Sequence, residues 1–509
     1  MPRFLLAALV ASLCILTSCA PKTPPVPANP ASDFITYIED DGVVISGFCG
    51  RDATVVVPAE IDGRPVKALS EGAFDGRDWL TSISLPDGLQ TIGEMAFTGC
   101  DSLSSFAVSS GNSRFQAIDG VLFTADGKAL VAFPPGKKAT EYQIPDGAEK
   151  IGEHAFWGCN SLMLVSLPDG LKIIGESAFA CCESLTSVVF PDTLKTIGDK
   201  AFYGCDSLDS FTVSSGNSQF QAVDGVLFTA DGKTLVAFPP GKKATEYQIP
   251  DGVEKIGASA FKWCESLTSV ALPDGLKIIG ENAFTGCDSL TSVALPDGLQ
   301  TIGESAFSDC RALTSVVVPD GLQTIGEGAF TECDSLDSFT VSSGNSQFQA
   351  VDGVLFTADG KTLVAFPPGK KATEYQIPDG VEKIDEYAFW GCNSLTSVSF
   401  PDGLQTIGNG AFEYCLLSSV LLPDGLKTIG ENAFAFCSLM SVSFPDGLRT
   451  IGNDAFYDCD SLTSVKIPDS VEKIGKNAFD GCDVLTLYGA VGSVAEEYAR
   501  ENQLRFEAR

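Results

Sequence analysis

A single histidine in 509 residues offers little to build catalysis on. His154 lies in Gly152-Glu153-His154-Ala155, at a place in a recurring segment that elsewhere holds Ser177, Lys200, Asn282 or Ser305. A position that takes such varied polar side chains, just before an inward Ala-Phe pair, is expected to face solvent. Neighbouring acids such as Glu39-Asp40-Asp41 have the groups for general acid–base work, yet acids recur in the loops of nearly every segment, which is the pattern of a solvated edge. Ser214-Ser215-Gly216-Asn217 lacks the strand–loop–helix order and the lysine of a phosphate loop. No Asp-x-Asp-x-Asp-Gly loop for calcium is present. Seventeen cysteines are the one abundant reactive group. Cys159, Cys205, Cys264, Cys287, Cys310, Cys333, Cys392, Cys459 and Cys482 each close a segment. One thiol per segment at a fixed phase reads as a buried column of small hydrophobes. There is no Cys-x-x-Cys pair, and adjacent Cys181-Cys182 is poorly suited to chelation. Neighbouring sulfurs would also have to meet the dihedral demand of a disulfide, so reduced thiols are expected. These residues predict no catalytic group, no metal and no cofactor.

Charge narrows the partners. The formal net charge of −33 excludes nucleic acid, whose binding needs a positive footprint to displace counterions from phosphates. It also argues against purely electrostatic attachment to anionic lipid. An acidic surface keeps a long, apolar-cored body soluble, and it is also suited to recruiting basic partners or Ca²⁺. Against this background three lysine pairs stand out: Lys137-Lys138, Lys242-Lys243 and Lys370-Lys371. They are candidate contact points at loop tips, with a plain solvated loop as the competing reading.

The element that positions these residues is one repeated stretch, clearest at Ser289–Cys310 (SLTSVALPDGLQTIGESAFSDC). The isoleucine of its Ile-Gly pair recurs at Ile92, Ile151, Ile174, Ile197, Ile256, Ile279, Ile302, Ile325, Ile384, Ile407, Ile429, Ile451 and Ile474, with Asp385 in place of one glycine. The spacings are 22, 23 or 59 residues, a period that marks a solenoid with one coil of chain per repeat. Within a coil, Val293 and Leu295 alternate as in a strand, and Pro296-Asp297-Gly298 forces a turn. Leu299 and Ile302 return to the core, and Gly303 is expected to permit a second bend. Glu304–Cys310 fits one helical or 3₁₀ turn with Ala306, Phe307 and Cys310 inward. One coil cannot bury its own apolar face, so stacking must stabilise it. At about 4.8 Å per parallel rung, roughly sixteen coils make a body on the order of 80 Å long. The 59-residue gaps are 23 plus 36. Enlarged coils therefore span Ser105–Asp146, Ser210–Asp251 and Ser338–Asp379, the last two identical in sequence. Val226-Leu227-Phe228 and Leu235-Val236-Ala237-Phe238 flank Ala230-Asp231-Gly232, predicting a hairpin with an Asp-Gly turn.

The organisation that follows is a signal peptide over 1–18, a Pro-rich tether over 19–32, an N-terminal cap over 33–70, the solenoid over 71–486 and a C-terminal cap over 487–509. The apolar run before Cys19 is too short to span a bilayer comfortably, and Leu16-Thr17-Ser18-Cys19 resembles a bacterial lipobox, with Cys19 as the acylated residue. In the N-terminal cap, strands are expected around Ile35–Ile38, Val43–Ile45 and Val55–Val57, with turns at Asp41-Gly42 and Asp62-Gly63. In the C-terminal cap, Ser493–Glu496 reads as a capping box opening a helix to about Gln503. Outward strand positions are predicted at Ser269 and Ala271, Ser292 and Ala294, Ser315 and Val317, Ser397 and Ser399, and Ser441 and Ser443. Such a small, neutral face suits a broad protein or glycan contact better than a small-molecule pocket, unless small residues there serve only even twisting of the strands.

The order strand-Pro, Leu-x-x-Ile, Ala-Phe and Cys in Leu290–Cys310 resembles the BspA-like, Treponema-type family of leucine-rich repeats, as do the enlarged coil through Lys243 and the terminal segment Tyr488–Phe506. The resemblance covers nearly all of the chain from Asp33. It implies a bacterial surface protein that binds host matrix proteins of the fibronectin or fibrinogen type, or other bacteria. Together with Cys19 it implies a lipoprotein of the cell envelope, in the outer membrane or exposed at the surface. The alternative is a structural or antigenically variable coat without a dedicated ligand. The family has no fixed binding residues, so the resemblance names no ligand.

Overall fold

Each coil runs up one wall as a strand of two to four residues, turns at its proline, and returns through a two-residue strand such as Thr324–Ile325. The computed structural model describes residues 27–509; the leader, Cys19 and most of the tether lie outside the described residues. Successive coils pair in parallel on both walls. Ser315–Val318 pairs with Ser338–Val341, and Thr301–Ile302 with Thr324–Ile325, residue for residue. Because a coil carries its apolar residues at fixed phase, register stacking puts like on like. Phe261, Phe284, Phe307 and Phe330 stack with ring centroids 4.8, 5.1 and 5.6 Å apart. Beside them Cys310 is fully buried and its Sγ–H donates to the Phe284 carbonyl at 3.2 Å, and Cys333 repeats the contact to Phe307 at 3.1 Å.

The third side of the coil departs from the expected helical turn. Glu304–Asp309 forms consecutive turns in which the donors alternate: Ala306, Ser308 and Cys310 donate three residues back along the chain, and Ser305, Phe307 and Asp309 donate to the next coil. His154, Phe156 and Gly158 donate to the carbonyls of Glu176, Ala178 and Ala180 in the next coil at 3.0, 2.7 and 3.0 Å. The physical reason is backbone sign: residues such as Ser177 (φ 51°) and Ser305 (φ 50°) adopt the left-handed region and interrupt any helical run. Gly303 stands at the expected bend, where its carbonyl accepts from Ala306, and it has a second role. A Cβ there would lie 2.5 Å from the Glu281 backbone nitrogen of the preceding coil, so the glycine permits close stacking.

At the N-terminal end, Phe34–Glu39 and Gly42–Phe48 form an antiparallel hairpin across Asp40-Asp41, and Arg64–Leu69 pairs in parallel with the second strand. Thr54–Val56 pairs in parallel with Ser82–Leu85, so stacking is already under way before residue 71. At the other end Arg505–Ala508 pairs with Thr486–Gly489 around the helix Val494–Glu501. The expected capping box does not form, because the Glu496 side chain reaches one residue past the N-cap. The Glu496 carboxylate accepts from the Gly492 N–H, whereas the Ser493 hydroxyl makes no bond.

Each enlarged coil is a three-stranded meander. Phe220–Val223, Val226–Thr229 and Thr234–Ala237 pair antiparallel in turn, and the last then pairs in parallel with Lys255–Ile256. The expected Asp231-Gly232 turn is present, and a second two-residue turn lies at Asp224-Gly225, with φ 50° and 79°. Both central residues at positive φ match the twist of a tight hairpin. The meanders interrupt the walls, and the buried core divides there into four clusters: Phe34 to Leu122, Val121 to Leu227, Val226 to Leu355, and Val354 to Ala499.

Candidate binding surfaces

The strand wall carries the outward positions. Ala271, Ser292, Ala294, Ser315, Val317, Ser397, Ser399, Ser441 and Ser443 are exposed, and Ser269 is half-buried. They alternate with buried Val270, Val293, Val316, Val398 and Val442, as a pleated strand with one face on the core must. The wall is not uniformly small. Leu164, Val189, Val317 and Leu421 occupy the same outward columns, Met163 and Met440 flank them, and Leu421 is 75% exposed. Leu421 and Met440 lie in the two coils shortened to 22 residues.

The lysine pairs divide into two roles. Lys137, Lys242 and Lys370 donate to the carbonyls of Asp119, Asp224 and Asp352 at 2.8, 3.0 and 3.0 Å, tying the loop to the tight turn of its own meander. Lys138, Lys243 and Lys371 are exposed. Sequence reasoning missed a further basic-acidic arrangement, the staples after each meander. Glu254 receives Lys233 and Lys277, each at 2.6 Å, and Glu149 receives Lys128 and Lys172 at 2.9 and 2.6 Å. The hydrogen bonds from Lys172 and Lys128 hold the Glu149 carboxyl down to about 2. The signal was present as a Lys–Glu spacing of 21 residues, which only the meander makes short.

Fifteen cysteines among the described residues are free, with Cys49 exposed and Cys181 half-buried. Burial pushes Cys100, Cys310 and Cys482 up to about 12. Among the described residues no three His, Cys, Asp or Glu side chains group as metal ligands. His154 is half-buried rather than fully exposed. Its ring lies 5.4 Å from that of Trp157, and its Nδ1 has no hydrogen-bond partner.

His154 lines a cleft where the first meander separates two coils, a cavity of 390 Å³ walled by Met95, Phe97, Val131, Glu153 and Trp157. The second meander leaves a matching cleft of 330 Å³ beside Lys200, Tyr203 and Lys262. At the third, Tyr387 and Trp390 leave only 30 Å³. Carboxylates face each other across the first and third mouths. Glu94 is raised by its hydrogen bond to Glu153 and by repulsion from it. Glu327 is raised by burial and by repulsion from Glu386.

The model of the BspA-type leucine-rich repeat region matches residues 61–125, 131–223, 236–351 and 365–486. No curated protein matches the chain. Among solved structures, a leucine-rich cell surface protein from Faecalibacterium prausnitzii A2-165 is 25% identical over 93% of this chain and 97% of its own, with a TM-score of 0.41. The pneumococcal vaccine antigen PcpA is 18% identical over 95% of this chain and 98% of its own, at 0.44. A leucine-rich repeat protein from Eubacterium ventriosum is 18% identical over 89% and 94%, at 0.40.

Proposed function

Since the chain belongs to the BspA-type leucine-rich repeat family, we propose that it is a non-enzymatic protein of the bacterial cell surface that binds other proteins, of host matrix or of neighbouring bacteria, through its strand wall. The observation that carries this reading is the set of apolar side chains exposed on that wall. Val189, Val317, Leu421 and Met440 project from columns filled mostly by Ser, Ala, Thr and Gln. Apolar groups left in water on a regular, low-charge surface mark a contact area, because burying them against a partner gains about 25 cal/mol per Å². The test is saturable binding of the full chain to immobilised fibronectin and fibrinogen. Leu421→Ser with Met440→Thr, which restores the common residues of those columns, is expected to weaken binding at least fivefold with no loss of thermal stability. Unchanged binding would overturn the assignment to this wall.

Attachment through an acylated Cys19 is part of the proposal. Among the described residues no helix is long and apolar enough to cross a membrane. Cys19→Ala is expected to move the protein from the detergent to the aqueous phase on partitioning. A second reading, an antigenically variable coat, is favoured by the identical segments Ser210–Asp251 and Ser338–Asp379, which invite recombination. Absence of saturable binding to any matrix protein or bacterial surface at micromolar concentration favours that reading.

A further inference from the structure

The turn side of the solenoid is a hydrogen-bond ladder with three rungs missing. In the coil before the first meander, Gly72, Phe74 and Gly76 donate to Glu94, Ala96 and Thr98 at 3.1, 2.8 and 2.9 Å. The next three donors in those columns, the N–H groups of Met95, Phe97 and Gly99, have no acceptor. The same break recurs at Lys200, Phe202 and Gly204, and at Gly328, Phe330 and Glu332. The cause is the meander. Ala132 stands where the next coil's acceptor belongs, but it pairs with Leu122 inside the meander instead. The clefts of 390 and 330 Å³ open over the first two donors of their sets, Met95 and Phe97 in one and Lys200 and Phe202 in the other, with Gly99 and Gly204 beyond their lining.

We propose that these two clefts each take a short segment of a partner protein, turned like the intact rungs, as a supplementary rung. Carbonyls at alternate residues would meet the free N–H groups of Met95 and Phe97, or of Lys200 and Phe202, as the carbonyls of Glu176 and Ala178 meet those of His154 and Phe156 in the intact ladder. This deepens the protein-binding reading above and rests on it. The occupant follows from continuity of the ladder: donors at alternate residues along one edge call for acceptors at the same alternation, which a peptide turned like the intact rungs supplies and an isolated ion does not. Its central residue is small, because alanine holds that place in the intact rungs. The clefts differ in charge. Glu94, Glu153 and Lys150 line the first, an acidic balance, and Lys200, Lys255, Lys262 and Asp199 the second, a basic one, so the first prefers a segment carrying lysine and the second one carrying an acid.

The third cleft supplies the control. Tyr387 occupies the position equivalent to His154 and Ser259, at φ 56° against 55° for both. His154→Tyr and Ser259→Tyr therefore copy a residue the fold already accepts, and unchanged thermal unfolding of each variant verifies this. Two labelled peptides serve as probes in fluorescence anisotropy with the full chain: Thr-Ile-Gly-Glu-Ser-Ala-Phe-Ser, the sequence of residues 301–308, and the same peptide with lysine replacing glutamate. The acidic peptide is expected to lose at least tenfold in affinity with Ser259→Tyr only, and the basic one with His154→Tyr only. Binding that survives both substitutions, or no binding of either peptide at millimolar concentration, overturns the proposal. If the peptides fail while the matrix proteins still bind, the clefts are excluded and the strand-wall reading stands.

Discussion

The Cys310 thiol has no reactive partner and a single fixed contact, the Phe284 carbonyl one coil back. Burial disfavours the thiolate, and that raises the group to about 12. Two consequences follow. Alkylation at pH 8, mapped by mass spectrometry, is expected to label Cys49 fully and Cys181 slowly, and to leave the buried column untouched until the chain is unfolded. The second concerns alkaline pH. A thiol raised above its unfolded value, about 8.5, contributes stability that is complete below that pH and is lost as pH rises through the folded value. Urea midpoints are therefore expected to fall from about pH 9 toward 12, and loss confined to acid would contradict this. Cys310→Ala removes a buried sulfur and its hydrogen bond, an expected cost of about 1–2 kcal/mol by urea denaturation.

At the scale of the coil, the glycine of Ile-Gly has two distinct environments. A Cβ at Gly326 would meet the Glu304 nitrogen at 2.2 Å, deep inside the preceding coil's backbone. At Gly152 and Gly257, which follow a meander, the nearest atom is a carbonyl oxygen at 3.0 Å. Asp385 occupies the matching place after the third meander, which explains the one natural exception. Gly257→Ala is thus expected to cost less than about 1 kcal/mol and Gly326→Ala several times more, in line with overpacking, by thermal denaturation of each variant. The staple at Glu254 behaves oppositely to the thiols. Its carboxyl is held down to about 2 by hydrogen bonds from Lys233 and Lys277, so the contribution is present above the ordinary carboxylate range and is lost as pH falls toward 2. Hydrogen exchange at the Asp231-Gly232 hairpin is expected to quicken over that range, and high salt to blunt the effect. The coil's phase, its inward residues and its strand wall were legible in the sequence because Val293, Leu295, Leu299 and Ile302 repeat at a fixed period. The turn ladder was not, since Glu304–Cys310 has the composition of a short helix and only its left-handed residues reveal otherwise. The clefts were hidden for a related reason: they arise from what Ala132 pairs with, a choice made between segments distant in sequence.

For the molecule as a whole, stability is a sum over coils and their interfaces, interrupted at three meanders. Deleting residues 289–311, one full period, is expected to keep the far-ultraviolet dichroism and the cooperative unfolding of the parent. Removing half a period from the same place misaligns every column beyond it and is expected to leave the following cluster unfolded. The four cores also have a mechanical meaning. Tension applied along the axis would not be shared evenly, since the parallel ladders that carry load stop and restart at each meander. Stretched between two fixed points, as by flowing liquid, such a molecule would yield one block at a time and so act as a damper, its remaining blocks intact while the weakest pays out chain.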